Sequence, residues 1–395
     1  MSASELEQER LRPYPLYNVT LTLYRLSPLY HAGAQSLLVN ATLVQHARHL
    51  KDLLAGEVLR GVRVGLATGG DEGLVKAGKL KECRWKVLGD EAAWIEQERR
   101  LRVDKSVDVT QTEEELAPED VRGIHVEVEY EKTTYMAVLL RNSSSRTVED
   151  NTGFTHLPLV VTRMPGPLRE TFLDYLSTTF DTRASLLKLP SGFLTSSLER
   201  FLAEVTAPNE DDVEDTDESA RQILGSLRNT VKDLAVTLAF TTPVTPLLKS
   251  LEITISKADI PGFIAQGKKP QQSPEPPQSD RKRKRDQSIP ITSGPFTSAL
   301  SQYTNAHLAF SLTHPDISIS KIACGAFALG AEGKAKIFPP IDPEEAGDVP
   351  TRSQTATAGL LHGLIERAET RAIASSETVV DGTNVQDGGG QNGKP

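Results

Sequence analysis

The sequence has few cysteines, few aromatic residues and no long hydrophobic run. Its two cysteines, Cys83 and Cys324, stand far apart in 395 residues, which is typical of reduced thiols in the cytosol or nucleus. No stretch approaches the roughly 18 consecutive apolar residues that a membrane helix needs. The N-terminus, MSASELEQER, lacks the basic and apolar segments of a secretory signal. We therefore expect an intracellular, soluble protein without a membrane segment.

The sequence also lacks an excess of positive charge. Its formal net charge of −9 at pH 7 argues against a protein that coats nucleic acid with its whole surface, but is compatible with one local basic patch. Hydrophobic residues make up 38% of the chain and can form a core. The 24 prolines and 28 glycines indicate that part of the chain stays outside that core.

Recognisable catalytic and ligand-binding motifs are missing as well. The segment from Gly73 to Leu80 has the spacing of a phosphate-binding loop, but Leu80 stands where that loop needs a hydroxyl group. A glycine-rich hairpin loop is the better interpretation. The acidic run at 209–218 lacks the glycine and the final glutamate of a calcium loop. His46 and His49 have no cysteine or carboxylate at metal-site spacing. We therefore predict no catalytic residues, metal, cofactor or small-molecule substrate.

Alternating and helical patterns predict an α+β fold. From Val19 to Tyr24 apolar and polar side chains alternate, which predicts a strand, and the leucine spacing from Ala41 to Ala55 predicts a helix. Further strands are expected at 61–66, 83–88, 123–130, 134–141, 157–162, 235–241, 247–256, 306–312 and 317–329, and further helices after Pro167 and at 196–205 and 219–234. Several strands are close enough for hairpins, so we expect a mainly antiparallel, curved sheet with packed helices.

We expect one large domain that is interrupted by a linker. In the segment QGKKPQQSPEPPQSDRKRKRDQSIP the chain becomes too polar and proline-rich to form a core. We assign 12–262 to the N-terminal part of an α+β domain, 263–292 to a disordered proline-rich and basic linker, and 293–340 to C-terminal strands that complete the same fold. Residues 341–395 are expected to form a mostly disordered tail with a short helix at 355–371.

A run of five basic residues lies in the predicted linker. Its members are Arg281, Lys282, Arg283, Lys284 and Arg285. Exposed, flexible clusters of this kind serve in receptor-mediated nuclear import or contact phosphate groups directly. A linker that is merely solubilising is the alternative. We predict a nuclear localisation signal at these residues.

A second group of basic residues lies within the part of the chain that is expected to fold. Its members are Lys76, Lys79, Lys81, Arg84 and Lys86. Glu82 alone opposes this basic strip in the sequence. Such a strip can contact a phosphate backbone without reading bases, and a solvated hairpin without a ligand is the alternative. We keep the strip as the candidate DNA contact.

The order of segments at the start of the chain resembles a known family. The segment YPLYNVTLTLYRLSPLYH at 14–31 is followed by the helix LVQHARHLKDLLAGEVLRGVRVG and by a tract that ends in Cys83-Arg84-Trp85. This order resembles the fungal branch of the centromere protein L family, whose members are subunits of the constitutive centromere-associated network of the inner kinetochore. The resemblance covers residues 1 to about 90 best and extends more loosely to about residue 330.

The resemblance implies a non-enzymatic scaffold in the nucleus, at the centromere, that serves chromosome segregation. Members of the family pair with centromere protein N through sheet-mediated contacts and join other subunits of the network on centromeric nucleosomes. A basic groove in that assembly can hold DNA. Exposed sheet edges suit such contacts, because their unpaired amides and carbonyls can extend a partner's sheet. We expect a partner-facing edge at Ile317, Ile319 and Ile322, with a core strand as the alternative.

Two other functional classes stay open from the residues alone. One is a nuclear chromatin adaptor that is bound through its basic linker. The other is a nuclear enzyme whose catalytic residues are dispersed along the chain and form no local motif. Co-expression discriminates between the classes, because a kinetochore subunit should become soluble together with centromere protein N.

Overall fold

The structure is a computed structural model that describes most of the chain. The described residues are 12–31, 36–56, 58–59, 62–63, 77–103, 116–117, 120–142, 153–207, 217–240, 248–269, 294–340 and 351–377. Within them the chain forms fifteen strands and eight helices. Most of the strands belong to one antiparallel sheet.

The strands are numbered in chain order. They are β1 (Thr20–Leu26), β2 (Leu29–Tyr30), β3 (Val58–Leu59), β4 (Val62–Arg63), β5 (Leu80–Leu88), β6 (Gly123–Tyr130), β7 (Thr134–Leu140), β8 (Phe154–Thr155), β9 (Leu159–Arg163), β10 (Ala184–Leu186), β11 (Leu234–Phe240), β12 (Ser250–Ile255), β13 (Ile317–Ala323), β14 (Phe327–Gly330) and β15 (Lys334–Ile337). The main sheet has the order β12-β11-β13-β14-β15-β1-β9-β7-β6-β5, and β10 pairs with β1 beside this path. Strands β2 and β8, and β3 and β4, form two small separate pairs.

The helices are numbered in the same way. They are α1 (Asn40–Gly56), α2 (Glu91–Val103), α3 (Gly166–Phe180), α4 (Ser191–Val205), α5 (Asp217–Val231), α6 (Ile260–Gly267), α7 (Pro295–Leu308) and α8 (Arg352–Glu377). Prolines at the first positions of α3, α6 and α7 suit helix starts, because a proline there removes no intrahelical hydrogen bond.

Strand β1 connects the two halves of the main sheet. Its first residues pair with β15, and its last residues pair with β9 on one side and β10 on the other. Leu21 and Leu23 are buried on one face of the sheet, whereas Tyr24 packs against the core on the opposite face. Successive side chains of a strand point to opposite faces, so β1 contributes to both hydrophobic cores.

The two cores lie on opposite faces of the sheet. One contains buried side chains of α1 and α3 packed on β5, β6 and β7, including Leu50, Phe172 and Val126. The other contains side chains of α4, α5, α7 and α8 packed on the strands from β11 to β1, including Phe201 and Phe327. The rings of Phe201 and Phe327 meet edge to face at 5.2 Å.

The α+β fold with a largely antiparallel sheet is confirmed. Strand β6 has the predicted bounds, and α1 covers the predicted helix. The strand expected at 306–312 was wrong, because α7 continues to Leu308 and ends at Ala309 in a left-handed conformation. Helices α2, α6 and α7 were not predicted, and α7 occupies the start of the range 293–340 that was assigned to strands. The charged sequence of α2 carries no regular apolar stripe, and α6 is short and contains proline and glycine.

Helix α8 is longer and more deeply packed than the tail helix expected at 355–371. It has 26 residues, and Leu360, Leu364 and Ala368 are buried in the core that contains α4. The Arg25 Nε donates a hydrogen bond to the carbonyl oxygen of Ala368 at 2.8 Å, which fixes the helix to β1. The part of the tail that contains α8 is therefore integral to the fold.

The expected linker begins later than residue 263, because α6 continues to Gly267. Residues 270–293, which include the basic run at 281–285, lie outside the described residues. Helices α6 and α7 pack together so closely that a Cβ on Gly267 would overlap the carbonyl oxygen of Pro295. The two ends of the linker are thus held next to each other.

Candidate interaction surfaces

The basic strip lies on β5, at one edge of the main sheet. Lys76 lies outside the described residues, Lys79 precedes β5, and Lys81, Arg84 and Lys86 belong to the strand. The register pairs Arg84 with Glu127 of β6, and Lys86 with His125. Side chains of cross-strand partners lie on the same face of a sheet. Arg84 of the strip therefore lies beside the acidic side chain of Glu127 on β6.

Three carboxylates surround Arg84. Its Nη2 donates to Glu82 Oε2 at 2.6 Å and to Glu129 Oε2 at 2.8 Å, and its Nη1 donates to Glu127 Oε2 at 3.2 Å. Burial opposes the charged form of the guanidinium. The hydrogen bond with Glu82 and the nearby carboxylates outweigh this effect and raise the pKa of Arg84 above its ordinary value. The donors of Arg84 are therefore directed at carboxylates of the protein itself.

Other cations on this face also lie near the β6 carboxylates. Lys81 Nζ is 3.7 Å from Glu129 Oε1, and Arg12 Nη1 is 3.8 Å from Glu127 Oε1. The local charge is consequently more balanced than the sequence between residues 76 and 86 indicates. The alternating HVEVEY segment of β6 could have indicated this balance of charge, because its pairing with β5 brings its glutamates next to the strip.

His125 is buried next to the strip and is 8% exposed. Its ring lies 5.6 Å from the ring of Trp94 in an edge-to-face arrangement. Burial, and then the positive charges of Lys86 and Arg12, lower the pKa of His125 to about 4. The imidazole is therefore neutral at pH 7.

The tyrosines near the start of the chain hold the N-terminal segment against α2. The Tyr14 hydroxyl donates to the Gly89 carbonyl oxygen at 3.0 Å, and the Tyr17 hydroxyl donates to Glu91 Oε2 at 2.8 Å. The Tyr14 ring also meets the Trp94 ring at 6.2 Å. Both tyrosines are buried, so they act in packing and anchoring rather than in contacts with a partner.

The partner-facing edge expected at Ile317, Ile319 and Ile322 was wrong. These residues belong to β13, which lies inside the sheet between β11 and β14. Their exposures are 8%, 3% and 1%, and all three pack into the core that contains α4. A run of alternating isoleucines is equally typical of an edge and of an inner strand; the pairing with β11 and β14 decides between them.

The described residues contain no feature that indicates chemistry. Burial raises the pKa of the Cys83 thiol to about 12 and that of the Cys324 thiol to about 11, so both remain protonated and unreactive at neutral pH. No group of three or more metal-ligating side chains occurs among the residues that the structure describes. None of the described helices has the length and apolar character for crossing a membrane.

Strand β12 forms the other edge of the main sheet. The Phe240 amide donates to the Lys249 carbonyl oxygen at 3.1 Å, and the register continues with Leu238 opposite Leu251. Hydrogen-bonded and non-bonded pairs alternate in an antiparallel ladder. The amides of Ser250, Glu252 and Thr254 therefore point away from β11. In the described part of the chain no strand pairs with this edge.

The two edges differ in how far they resist strand addition. Strand β5 has a register irregularity between Leu80 and Glu82 and carries several charged side chains, which are common devices against edge pairing. Strand β12 keeps a regular register with β11, and Glu252 is its single charged residue. The alternating sequence SLEITI predicted the strand but not its edge position, which follows from the pairing of β11 with β13.

A comparison with known families matches almost the whole chain. The model of a family described as Centromere protein L matches residues 15–369. This range contains every strand of the main sheet and all described helices except the end of α8. A search of the curated proteins finds no match.

Proposed function

Because the chain belongs to the centromere protein L family, we propose that it is a structural, non-enzymatic subunit of the inner kinetochore that pairs with centromere protein N. Family membership implies a kinetochore-related role at the centromere. The observation that carries the proposal is the family match over residues 15–369, which spans both cores of the fold. The pair would join further inner-kinetochore subunits and serve chromosome segregation in the nucleus.

The surfaces of the protein support a role in assembly. Among the described residues, His125 is buried and neutral, and Cys83 and Cys324 are buried with raised pKa values. By contrast, β12 lies at the end of the main sheet, and within the described ranges its outer row of backbone groups has no strand beside it. Such a row can bind a second chain without any change in the fold.

Co-expression with the centromere protein N homologue of the same organism tests the pairing. We expect the two chains to copurify and to elute as a 1:1 complex in size-exclusion chromatography, with the complex more soluble than this chain alone. An unrelated kinetochore subunit of similar size is the control. A stable monomer that does not bind centromere protein N would contradict the proposal and favour the adaptor or enzyme alternatives.

We propose that the basic run at 281–285 directs nuclear import. The run lies in a polar, proline-rich part of the sequence between Gly267 of α6 and Pro295 of α7, and basic clusters of this kind are read by import receptors. Replacing all five residues by alanine should reduce nuclear accumulation and leave pairing with centromere protein N unchanged. Replacing Lys268 and Lys269 by alanine is the control, and unchanged accumulation of the five-alanine variant would reject the import role.

We retain the basic strip as a proposed accessory contact to centromeric DNA. Since Arg84 is directed at three carboxylates, the contact would depend on Lys79, Lys81 and Lys86. Reversing these three charges should weaken DNA binding by the assembled pair and lower the slope of log K against log salt by about 2–3, nearly one per lost phosphate contact. An unchanged slope would make the strip an ordinary solvated face.

A further inference from the structure

Within the described residues, helices cover only one face of the sheet at β11, β13, β14 and β15. Ile322, Leu329 and Ala335 point into the core that contains α4, and their neighbours along each strand point to the opposite, open face. The core of α1 and α3 lies on that side of the sheet but contains no side chain of these four strands. Small residues, including those of the adjoining β1, make up most of the open face: Thr20, Thr22, Thr237, Ala323, Ala328 and Gly330.

Three lysines of the open face surround one glycine. Lys321 of β13 and Lys334 of β15 are the two cross-strand neighbours of Gly330 in β14. Lys336 lies on the same face, two residues after Lys334. Adjacent strands are about 4.8 Å apart, and alternate residues of a strand are about 7 Å apart. The flexible stems of the three lysines can therefore bring their ammonium groups to one position above Gly330.

A carboxylate of the protein itself occupies this position. Glu332 lies in the turn between β14 and β15, where the Gly333 amide donates to the Gly330 carbonyl oxygen at 3.0 Å. A Cβ on Gly330 would lie 2.7 Å from Glu332 Oε2, so the carboxylate covers the glycine. Lys334 Nζ is 3.9 Å from Glu332 Oε1, and the two side chains are 57% and 60% exposed. An ion pair this exposed is weak, so another anion can displace Glu332.

The charge of the cluster favours an anion with more than one negative charge. Three ammonium groups oppose the single carboxylate charge of Glu332, and Lys321 and Lys334 are exposed. A phosphate monoester carries a charge of about −1.5 to −2 and three acceptor oxygens, which gives one oxygen for each lysine. The absence of a side chain on Gly330 leaves room for this group.

A nucleic-acid backbone fits the cluster less well than a single phosphate monoester. Its phosphates need cations that are distributed along the strand, whereas these three lysines surround one position. Glu252 also lies on the open face, two strands away from Lys321, because Thr237 pairs with both residues. This carboxylate opposes a polyanion that extends across the sheet.

We propose that Lys321, Lys334 and Lys336 form a docking site for a phosphorylated side chain of a partner protein, and that Glu332 occupies this site until the phosphate displaces it. The site goes beyond the proposed function, because it recognises a modification and does not require pairing with centromere protein N. Phosphorylation of the partner would control its docking on the open face.

Fluorescence anisotropy with two labelled peptides tests the site. The probes are an uncharged heptapeptide with one central phosphothreonine and the same peptide without the phosphate. The full-length chain is used, alone or in its pair with centromere protein N. We expect it to bind the phosphorylated peptide about tenfold or more tightly than the other, since each of three exposed charge pairs contributes about two- to fivefold. Equal binding of the two peptides would overturn the proposal.

Single substitutions of the lysines locate the binding. Lys321→Gln and Lys334→Gln should each weaken binding of the phosphorylated peptide about two- to fivefold. Lys132→Gln removes the same charge at an exposed position in the turn between β6 and β7, and should leave binding unchanged. The unfolding midpoint of each variant is measured first. Equal affinities in the Lys321, Lys334 and Lys132 variants would place the phosphate elsewhere.

Substitution of Glu332 tests the displacement. Glu332→Gln removes the competing charge and should strengthen binding of the phosphorylated peptide about two- to fivefold. Glu170→Gln, at an exposed position of α3, makes the same change in net charge and is the matched control. Equal affinities in the two variants would show that Glu332 does not compete for the site.

A duplex DNA oligonucleotide tests the other class of ligand. The double variant Lys321→Gln/Lys334→Gln should lose the preference for the phosphorylated peptide and bind DNA as the wild type does. Weaker DNA binding in this variant, together with equal affinity of the wild type for the two peptides, would make the open face a nucleic-acid surface and overturn the proposal. Failure of the chain to pair with centromere protein N would reject the proposed function and leave these measurements intact.

Discussion

Ala309 adopts a backbone conformation that favours glycine. It ends α7 with φ 56° and ψ 26°, and its side chain is exposed. The left-handed conformation brings Cβ close to the carbonyl oxygen in any residue other than glycine. We therefore expect Ala309→Gly to raise the free energy of unfolding by about 0.5–1 kcal/mol, after the greater freedom of glycine in the unfolded chain is subtracted. Chemical denaturation measures the change.

Ala306 supplies a matched control for this substitution. It is exposed in the last turn of the same helix, where its conformation is helical. Ala306→Gly should lower the free energy of unfolding by up to about 1 kcal/mol, because glycine is a poor helix former. Effects of opposite sign at the two positions are the expected result. A destabilising effect at both would contradict the assignment of strain to Ala309.

The buried imidazole of His125 should make stability fall in mild acid. Burial and the charges of Lys86 and Arg12 lower its pKa to about 4 from the ordinary value of 6.5. The unfolded chain therefore takes up a proton first as pH falls, so stability is retained above about pH 6.5 and is lost toward pH 4. Between pH 7 and pH 5 this residue should cost about 2 kcal/mol.

Replacing the titratable ring separates this effect from those of the carboxylates. In His125→Gln the loss of stability between pH 7 and pH 5 should be smaller than in the wild type by about 2 kcal/mol. Equal pH dependence in His125→Gln and wild type would show that folding does not lower the pKa of His125.

Residue-level contacts were the hardest features to predict from the sequence. The count of charges between Lys76 and Lys86 was correct, yet it missed Glu127 and Glu129, which are more than forty positions away from Arg84. Only the register of β5 with β6 brings them together. In the same way, no local pattern marks Glu252 as an edge residue.

At the scale of elements, periodic patterns predicted well those strands and helices whose burial is regular. Strand β6 alternates along its length, and α1 repeats its leucines on one face. Helix α8 was underestimated because alanine, glycine and threonine make up much of its buried side, which lowers the contrast between faces. Packing against α4 and β1 stabilises it instead.

Helix α8 should therefore be required for stability. Leu364 is 1% exposed in the core, and Leu364→Ala should lower the free energy of unfolding by about 2–5 kcal/mol through lost burial and a cavity. Leu361, one residue after Leu360 on the same helix, is only partly buried, so Leu361→Ala is the matched control with a smaller effect. A loss below about 1 kcal/mol in Leu364→Ala would contradict the integral role of α8.

At the scale of the whole molecule, one sheet joins two cores that lie on its opposite faces. The sequence predicted the fold class and the return of the C-terminal strands to the same domain, since short alternating segments resume after the linker. It could not predict that β15 pairs with β1, which closes the chain over more than three hundred residues. That pairing places the two edges, β5 and β12, at opposite ends of the sheet.

A shared central strand should make the two cores unfold together. Leu23 of β1 is buried in one core, and the neighbouring Tyr24 packs against the other. The two tryptophans of the chain report on them separately, because Trp85 lies in the core of α1 and Trp94 packs against the core of α4. Trp85→Phe and Trp94→Phe each leave one tryptophan as the reporter. The fluorescence transitions of the two variants should have the same midpoint, after the effect of each substitution on stability is subtracted.

Leu23→Ala should then lower both midpoints by the same amount, equivalent to about 2–5 kcal/mol, although only one core contains the side chain. Its cavity forms inside the core that contains α4, and continuous pairing through β15, β1 and β9 transmits the loss of stability to the other core. Leu53→Ala, at an exposed position of α1, is the control and should change neither midpoint. A shift of the Trp94 transition alone would show that the two halves of the sheet unfold independently.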